Sequence, residues 1–300
     1  MKWSPLFFFS FVFSAFFWTL QAQTSFVNFA VENDFFFIKD RYYSSGLFLQ
    51  IGKKRVTQAK DSLVQYGLWE LGQEIYTPRN PYAKDSQEYD YPYGGWLYLQ
   101  HSRQKVLSPT QQIEVGLQLG ATGNWSLGRW SQNIYHQKLM GLRELTWIDQ
   151  LPNALHLNIF TRYFYQKVWR ENRSFEAQVY THLGTQRIDV GHRMGLSIGK
   201  AKVYGLGFNG LHRYTEGIGA YIGMTTHYVF HDYMIQGSLF NDEALFTAEL
   251  VAWRLHFELG MVLQKDQWRL LLFYKNRSRD NRLQPKSYHH LMSVGLSRLF

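Results

Sequence analysis

Two polar side chains four residues apart, Gln132 and His136, carry the clearest catalytic potential in the sequence. If residues 132–141 form a short helix, that spacing sets both on one helical face. An imidazole ordinarily titrates near pH 6.5, so it accepts a proton from water at neutral pH once a partner orients the ring. The chemistry this permits is hydrolysis by base-activated water, with the orienting partner unassigned. The chain contains no cysteine, which removes thiolate nucleophiles, thiolate-bound metals and disulfides. His136 is one of 11 histidines, so a plain surface role stays open on spacing alone. Asn33-Asp34 equally suits a polar turn after a strand. Arg79 and Lys84 suit either charge-assisted donation to a phosphate or simple solvation.

These residues lie between segments with period-two alternation. Ile113, Val115, Leu117 and Leu119 alternate with Gln112, Glu114, Gly116 and Gln118. Val190, His192, Met194, Leu196 and Ile198 alternate with small or polar residues, as do Trp253 to Leu263 and Met292 to Phe300. Such segments fall near 25–33, 44–55, 62–76, 94–106, 111–121, 154–168, 174–186, 188–201, 218–231, 246–264, 267–278 and 288–300. That makes 12, an even number, as a single-chain bacterial barrel requires. Met1-Lys2, the Phe-rich run Leu6 to Leu20 and the small-residue end at Ala22 have the order of a secretory signal. Residues 1–22 are therefore expected to be a signal peptide and 23–300 a single barrel domain.

The expected fold is all-β: an antiparallel transmembrane β-barrel of about 12 strands with a short helix in an extracellular loop. A soluble lipocalin-like barrel would need its apolar face inward, whereas the Gly- and Ser-rich polar faces here suit a filled lumen. With the N-terminus in the periplasm, parity makes the loops 33–43, 77–93 and 122–153 extracellular. Strict alternation sends Asn33 and Asp34 to opposite faces, so one site can use both only if the strand ends or bulges there. A net charge of +9 invites a nucleic-acid partner, but the cations are dispersed among apolar runs and suit an anionic lipid surface better.

Within those loops three ordered segments stand out: Glu32-Asn33-Asp34 with Asp40-Arg41-Tyr42-Tyr43-Ser44-Ser45-Gly46; Gly72-Gln73-Glu74-Ile75-Tyr76-Thr77-Pro78 with Asp90-Tyr91-Pro92-Tyr93-Gly94-Gly95-Trp96; and Gln132, His136, Trp147 and Gln150-Leu151. Taken in order they resemble the outer-membrane lipid A 3′-O-deacylase family, over about the first half of the mature chain. The resemblance implies a Ca²⁺-dependent hydrolase that removes the 3′-acyloxyacyl chain of lipid A in the outer membrane of a Gram-negative bacterium. It implies His136 as general base with Gln132 beside it, and a site that needs Ser44, Asn33 and Asp34. An amide and a carboxylate oxygen are hard ligands that suit Ca²⁺. Asn33 and Asp34 are the candidate metal ligands, Glu144 is the nearest candidate for the further acidic ligand that some members carry beyond the histidine, and Arg79 and Lys84 are candidates for lipid A phosphate. The expected partners are lipopolysaccharide and the outer membrane, with the chain a monomer that binds no nucleic acid. Two other classes stay in view: a non-catalytic barrel such as a small porin, and a serine hydrolase such as an outer-membrane phospholipase, for which no nucleophile and base stand out as a pair.

Overall fold

The computed structural model describes residues 25–34, 40–55, 64–201 and 215–300, so the expected signal segment lies outside the described residues. Twelve strands run in chain order: β1 (Ser25–Asn33), β2 (Tyr42–Arg55), β3 (Gln65–Thr77), β4 (Gly94–Ser108), β5 (Gln111–Ala121), β6 (Leu155–Arg170), β7 (Arg173–Gly184), β8 (Arg187–Gly199), β9 (Gly217–Asp232), β10 (Trp253–Lys265), β11 (Trp268–Ser278) and β12 (Tyr288–Leu299). Each pairs antiparallel with its neighbours in sequence, and β1 closes on β12 with Phe26 opposite Leu299 and Ala30 opposite Gly295. Closure leaves no edge strand to be satisfied in lipid. No helix among the described residues is long and apolar enough to cross a membrane.

Alternation sorts the two faces. Leu49, Ile51, Trp69, Leu71, Leu99, Leu117, Leu119, Leu157 and Ile159 are exposed, while Gln50, Gln118 and Asn158 between them turn inward and are buried. The inward residues are polar, and a buried polar group is costly unless bonded. They therefore form rungs: Gln118 donates to Gln100 at 2.9 Å, Asn158 to Gln118 at 3.2 Å, and Ser102 to Glu114 at 2.6 Å. Arg162 stands 3.5 Å from the other oxygen of Glu114. An inside-out arrangement of this kind fits a barrel in lipid and is the reverse of a lipocalin.

The lumen is capped above by an aromatic layer in which Tyr42, Tyr43, Tyr76, Tyr91, Trp96 and Tyr98 pack with Tyr233, Met234 and Leu291. Tyr76 stacks on Tyr91 at 6.0 Å, and Tyr42 tilts against Tyr91 at 5.7 Å. Beneath this layer lies a polar chamber of about 350 Å³ among Glu32, Glu74, Arg187, Arg193, Glu258 and Lys275.

Two expectations shift. The segment 246–264 is a strand only from Trp253; Ala248 N–H bonds to the Ile235 carbonyl and Val251 N–H to that of Asp280, so the backbone before it serves a loop instead of the ladder. The third-loop helix begins earlier than expected, as α1 (Gly128–Ile134), and runs into a π-helical turn, Tyr135–Met140, that ends at left-handed Gly141 (φ 64°). The helix begins after Leu127, which sits at a left-handed φ of 57°, with Ser126 Oγ accepting from Gly128 N–H at 3.2 Å across that turn.

Candidate active site

The site forms at the extracellular tips of β1 to β3, where regular pairing stops. β1 ends at Asn33, and Asp34 N–H still bonds to the Ser44 carbonyl at 3.1 Å. Opposite it, Tyr42 takes a left-handed φ of 62° and the β2–β3 register slips between Tyr43 and Ser45, leaving Ser44 as a bulge. The strand end and the bulge resolve the alternation problem: Asn33 and Asp34 both line one cavity.

That cavity is about 560 Å³ and lies between the barrel wall and the third loop. Its wall includes Val31, Leu47 and Gln73, which alternate in phase with exposed Phe29, Leu49 and Leu71. It therefore sits on the outer, lipid-facing side of the barrel. The opposite side is α1 and the π turn, contributing Ser131, Gln132, Tyr135 and His136. Gln73 Nε2 donates to the Ser126 carbonyl at 2.7 Å, and glycine at two positions lets the loop lie close to the wall: a methyl on Gly128 would meet Gly95 Cα at 3.1 Å and the Trp147 ring at 2.9 Å.

Across this cavity, His136 Nε2 pairs with Asp40 Oδ2 at 2.6 Å. An ionised carboxylate only accepts, so Nε2 donates, and in the neutral ring Nδ1 keeps the lone pair. His136 is buried, and its enclosed Nδ1 has no hydrogen-bond partner among the described residues. Asp40 Oδ1 accepts from Gln132 Nε2 at 3.0 Å, and Gln132 Oε1 accepts from Trp147 Nε1 at 2.8 Å. Trp147 is itself stacked on Tyr93, with ring centroids 4.9 Å apart. The chain Trp147, Gln132, Asp40, His136 thus fixes one imidazole orientation and one tautomer, the arrangement a general base requires.

A family model described as "Outer membrane protein LpxR" matches residues 6–300 of the sequence. The chain belongs to the LpxR family. Its fold is similar to that of LpxR from Salmonella typhimurium, at 18% identity and a TM-score of 0.75, covering 92% of this chain and 100% of that one. It is also similar to the beta domain of the Bordetella autotransporter BrkA, at 12% identity and a TM-score of 0.53, covering 93% and 100%. Comparison with curated proteins finds no match. Membership in a family of outer-membrane proteins and the inside-out barrel together place this LpxR-family chain in the outer membrane.

Of the residues singled out from the sequence, Gln132, His136, Asn33, Asp34 and Arg79 meet at the cavity of this LpxR-family barrel. Ser44 is buried with Oγ donating to the Ile75 carbonyl at 3.3 Å, and its neighbour Ser45 lines the cavity instead. Glu144 lies elsewhere: Asn133 Nδ2 and Gln137 Nε2 each donate to it at 3.2 Å, in a separate groove with Leu127 and Arg129. Arg79 is 3.6 Å from Asp90 with its side chain largely exposed, while Lys84 is exposed and outside the cavity lining. Sequence reasoning missed Asp40. It precedes Arg41-Tyr42-Tyr43 in a quoted motif, but the contact spans 96 residues of chain and has no local signature. The string Gly195-Leu196-Ser197-Ile198-Gly199 has the letters of a serine nucleophile elbow. It lies within β8, where Ser197 Oγ donates to Glu176 at 2.6 Å, so it lacks the strand-to-helix turn that an elbow needs.

Asp34 tests the fit to a metal. It is buried with Oδ2 accepting from Arg41 N–H at 3.0 Å, and burial together with the neighbouring Asp40 charge pushes its carboxyl up to about 9. A buried carboxyl crowded by a second one gains from a cation, and its oxygen is the hard donor that Ca²⁺ prefers. Among the described residues no three His, Cys, Asp or Glu side chains form a metal-holding group. Carboxylates and imidazoles of the described residues therefore do not by themselves complete a metal site.

Proposed function

We propose that this LpxR-family chain is a lipid A deacylase of the outer leaflet, hydrolysing the 3′-acyloxyacyl ester with Ca²⁺ as its metal. The observation that carries the proposal is the Asp40–His136 pair, at 2.6 Å, set in a cavity on the lipid-facing side of the wall. A lipid in the outer leaflet reaches such a cavity by lateral diffusion, with acyl chains against Val31 and Leu47 and its polar part against Gln132 and Asp40.

Once substrate entry opens the cavity around it, His136 Nδ1, enclosed in the free protein, takes a proton from water as the water oxygen bonds to the ester carbonyl carbon, and Asp40 holds the resulting imidazolium. When the carbon–oxygen bond to the sugar breaks, the same Nδ1 returns the proton to the sugar oxygen. The products are a free acyloxyacyl acid and a hydroxyl on the sugar. Gln132 keeps Asp40 in place through both proton transfers. Asn33 and Asp34 would hold Ca²⁺, which supplies positive charge for the carbonyl oxygen when bound. Arg79, at the cavity rim, would meet a lipid phosphate as a charge-assisted donor.

A porin function draws no support from the fold, because the aromatic layer spans the mouth. The test is the mass of lipid A from cells producing the intact chain or His136→Ala, with and without a Ca²⁺ chelator. Loss of one 3′-acyloxyacyl unit only with histidine and metal present is the expected result. Unchanged lipid A from a correctly inserted barrel would overturn the assignment.

A further inference from the structure

The helix that carries Gln132 and His136 has a second face. Leu127, Trp130 and Ile134, spaced by three and four residues, lie along one side of α1 and its entry, and Trp125 adds to them just before it. All are exposed, Trp130 at 65% and Trp125 at 54%. Water-facing loops rarely present two tryptophans beside two aliphatic residues, and patches of this kind mark an interaction surface.

Its position identifies the occupant. The loop is tied to the outer wall through Gln73 and the Ser126 carbonyl, and across the β3–β4 ladder Gln73 faces Leu97. Two residues further down the same outward face, Leu71 pairs with Leu99, both about half exposed in the lipid-facing belt. Two strand residues span roughly 7 Å, so the tie point lies one outward rung above the exposed leucines. The apolar face of α1 is therefore continuous with the belt and lies at the depth of the boundary between acyl chains and headgroups, where tryptophan concentrates. Exposed Arg129 and Lys138 flank it and complement the anionic phosphates of that layer. Glu144 lines the same groove as Leu127, Trp130 and Ile134, and there the amides of Asn133 and Gln137 bind its carboxylate.

We infer that segment 125–139 is a lipid-immersed interfacial element, with Trp130 and Ile134 inserted in the outer leaflet while the opposite face holds Gln132 and His136. The inference rests on the position of the loop and not on the hydrolytic activity.

The absence of cysteine makes it directly testable, because a single introduced thiol is the only one in the protein. Spin labels are placed at Trp130→Cys and, separately, Ile134→Cys, with Leu157→Cys as the lipid reference and Gln87→Cys as the aqueous one. The full chain is reconstituted in liposomes of phosphatidylethanolamine and lipopolysaccharide, and collision with oxygen is compared with collision with a water-soluble nickel chelate. For either α1 label, the oxygen-to-nickel ratio is expected to exceed that of the Gln87 label by more than about fivefold. A smaller ratio at both positions would place the face in water and overturn the inference. Spin–spin broadening that vanishes on dilution with unlabelled chain would put a second copy on the face and overturn it too. Heat-modifiable electrophoretic mobility reports that each variant is folded.

Discussion

Replacing Asp40 with Asn removes one charge while leaving the shape of the chain from Trp147 to His136. With the amide oxygen accepting from Gln132, the amide nitrogen faces Nε2, so both the carboxylate that faces the imidazolium and the acceptor that holds the Nε2–H tautomer are lost. For unit charges whose centres are about 4 Å apart, an effective dielectric of about 20 gives roughly 4 kcal/mol. The Asp40 side chain is 24% exposed, and solvent screening brings that down to about 2–3 kcal/mol. At about 1.4 kcal/mol per tenfold, the charge alone lowers kcat for ester hydrolysis roughly 30- to 150-fold, and the reversed tautomer makes that the minimum fall expected. The assay is release of acyloxyacyl acid from lipopolysaccharide micelles at saturating substrate and metal, with KM recorded alongside. Because the effect belongs to the protonated imidazole, kcat should change far more than KM. A folded Asp40→Asn barrel with kcat within about threefold of the parent would refute the role given to this pair.

Asp34 should make metal binding pH-dependent. Its ordinary value is 3.8 and its folded value about 9, so between those limits the folded carboxyl keeps a proton that a cation must displace. Apparent Ca²⁺ affinity should therefore rise by up to about tenfold per pH unit below about 9, with about one proton released per ion by calorimetry in two buffers. Affinity that is flat with pH would contradict this. The same shift has a stability sign: a carboxyl raised in the fold favours folding fully below about 4 and loses that contribution as pH climbs to about 9, so metal-free Asp34→Asn should gain stability at the alkaline end of a denaturation series. Gly128→Val should overpack the contact with Gly95 and Trp147 at a cost of about 1–3 kcal/mol. That strain should loosen the third loop and lower activity while the barrel keeps its heat-modifiable mobility; unchanged activity would show that the close approach is dispensable.

The strands were legible because lipid outside and hydrogen-bonded rungs inside impose opposite demands on adjacent residues. Leu117, Gln118 and Leu119 show it within three positions. Legibility failed where the backbone answers to a loop. Residues 246–252 have strand-like composition, yet Ala248 and Val251 bond to Ile235 and Asp280, and no periodicity encodes those partners. Gln132 and His136 could be paired from sequence because a helix relates residues four apart. Asp40 could not be found that way, since the strands and loops of a large part of the barrel separate it from His136. Glu144 was attractive by proximity along the chain, but Asn133 binds it on a different side of α1 from His136.

Closure of β1 on β12 makes the site conditional on assembly. Asn33 pairs with Met292 on one side and with Ser45 on the other, so the end of the first strand has its final place only after the last strand has been made and docked. Until then both strands present unpaired edges, and the tip bearing Asp34 is tethered from one side at most. Before the barrel closes, the chain thus holds the parts of the cavity without their full arrangement, and the β1–β12 ladder completes the seat of that strand end.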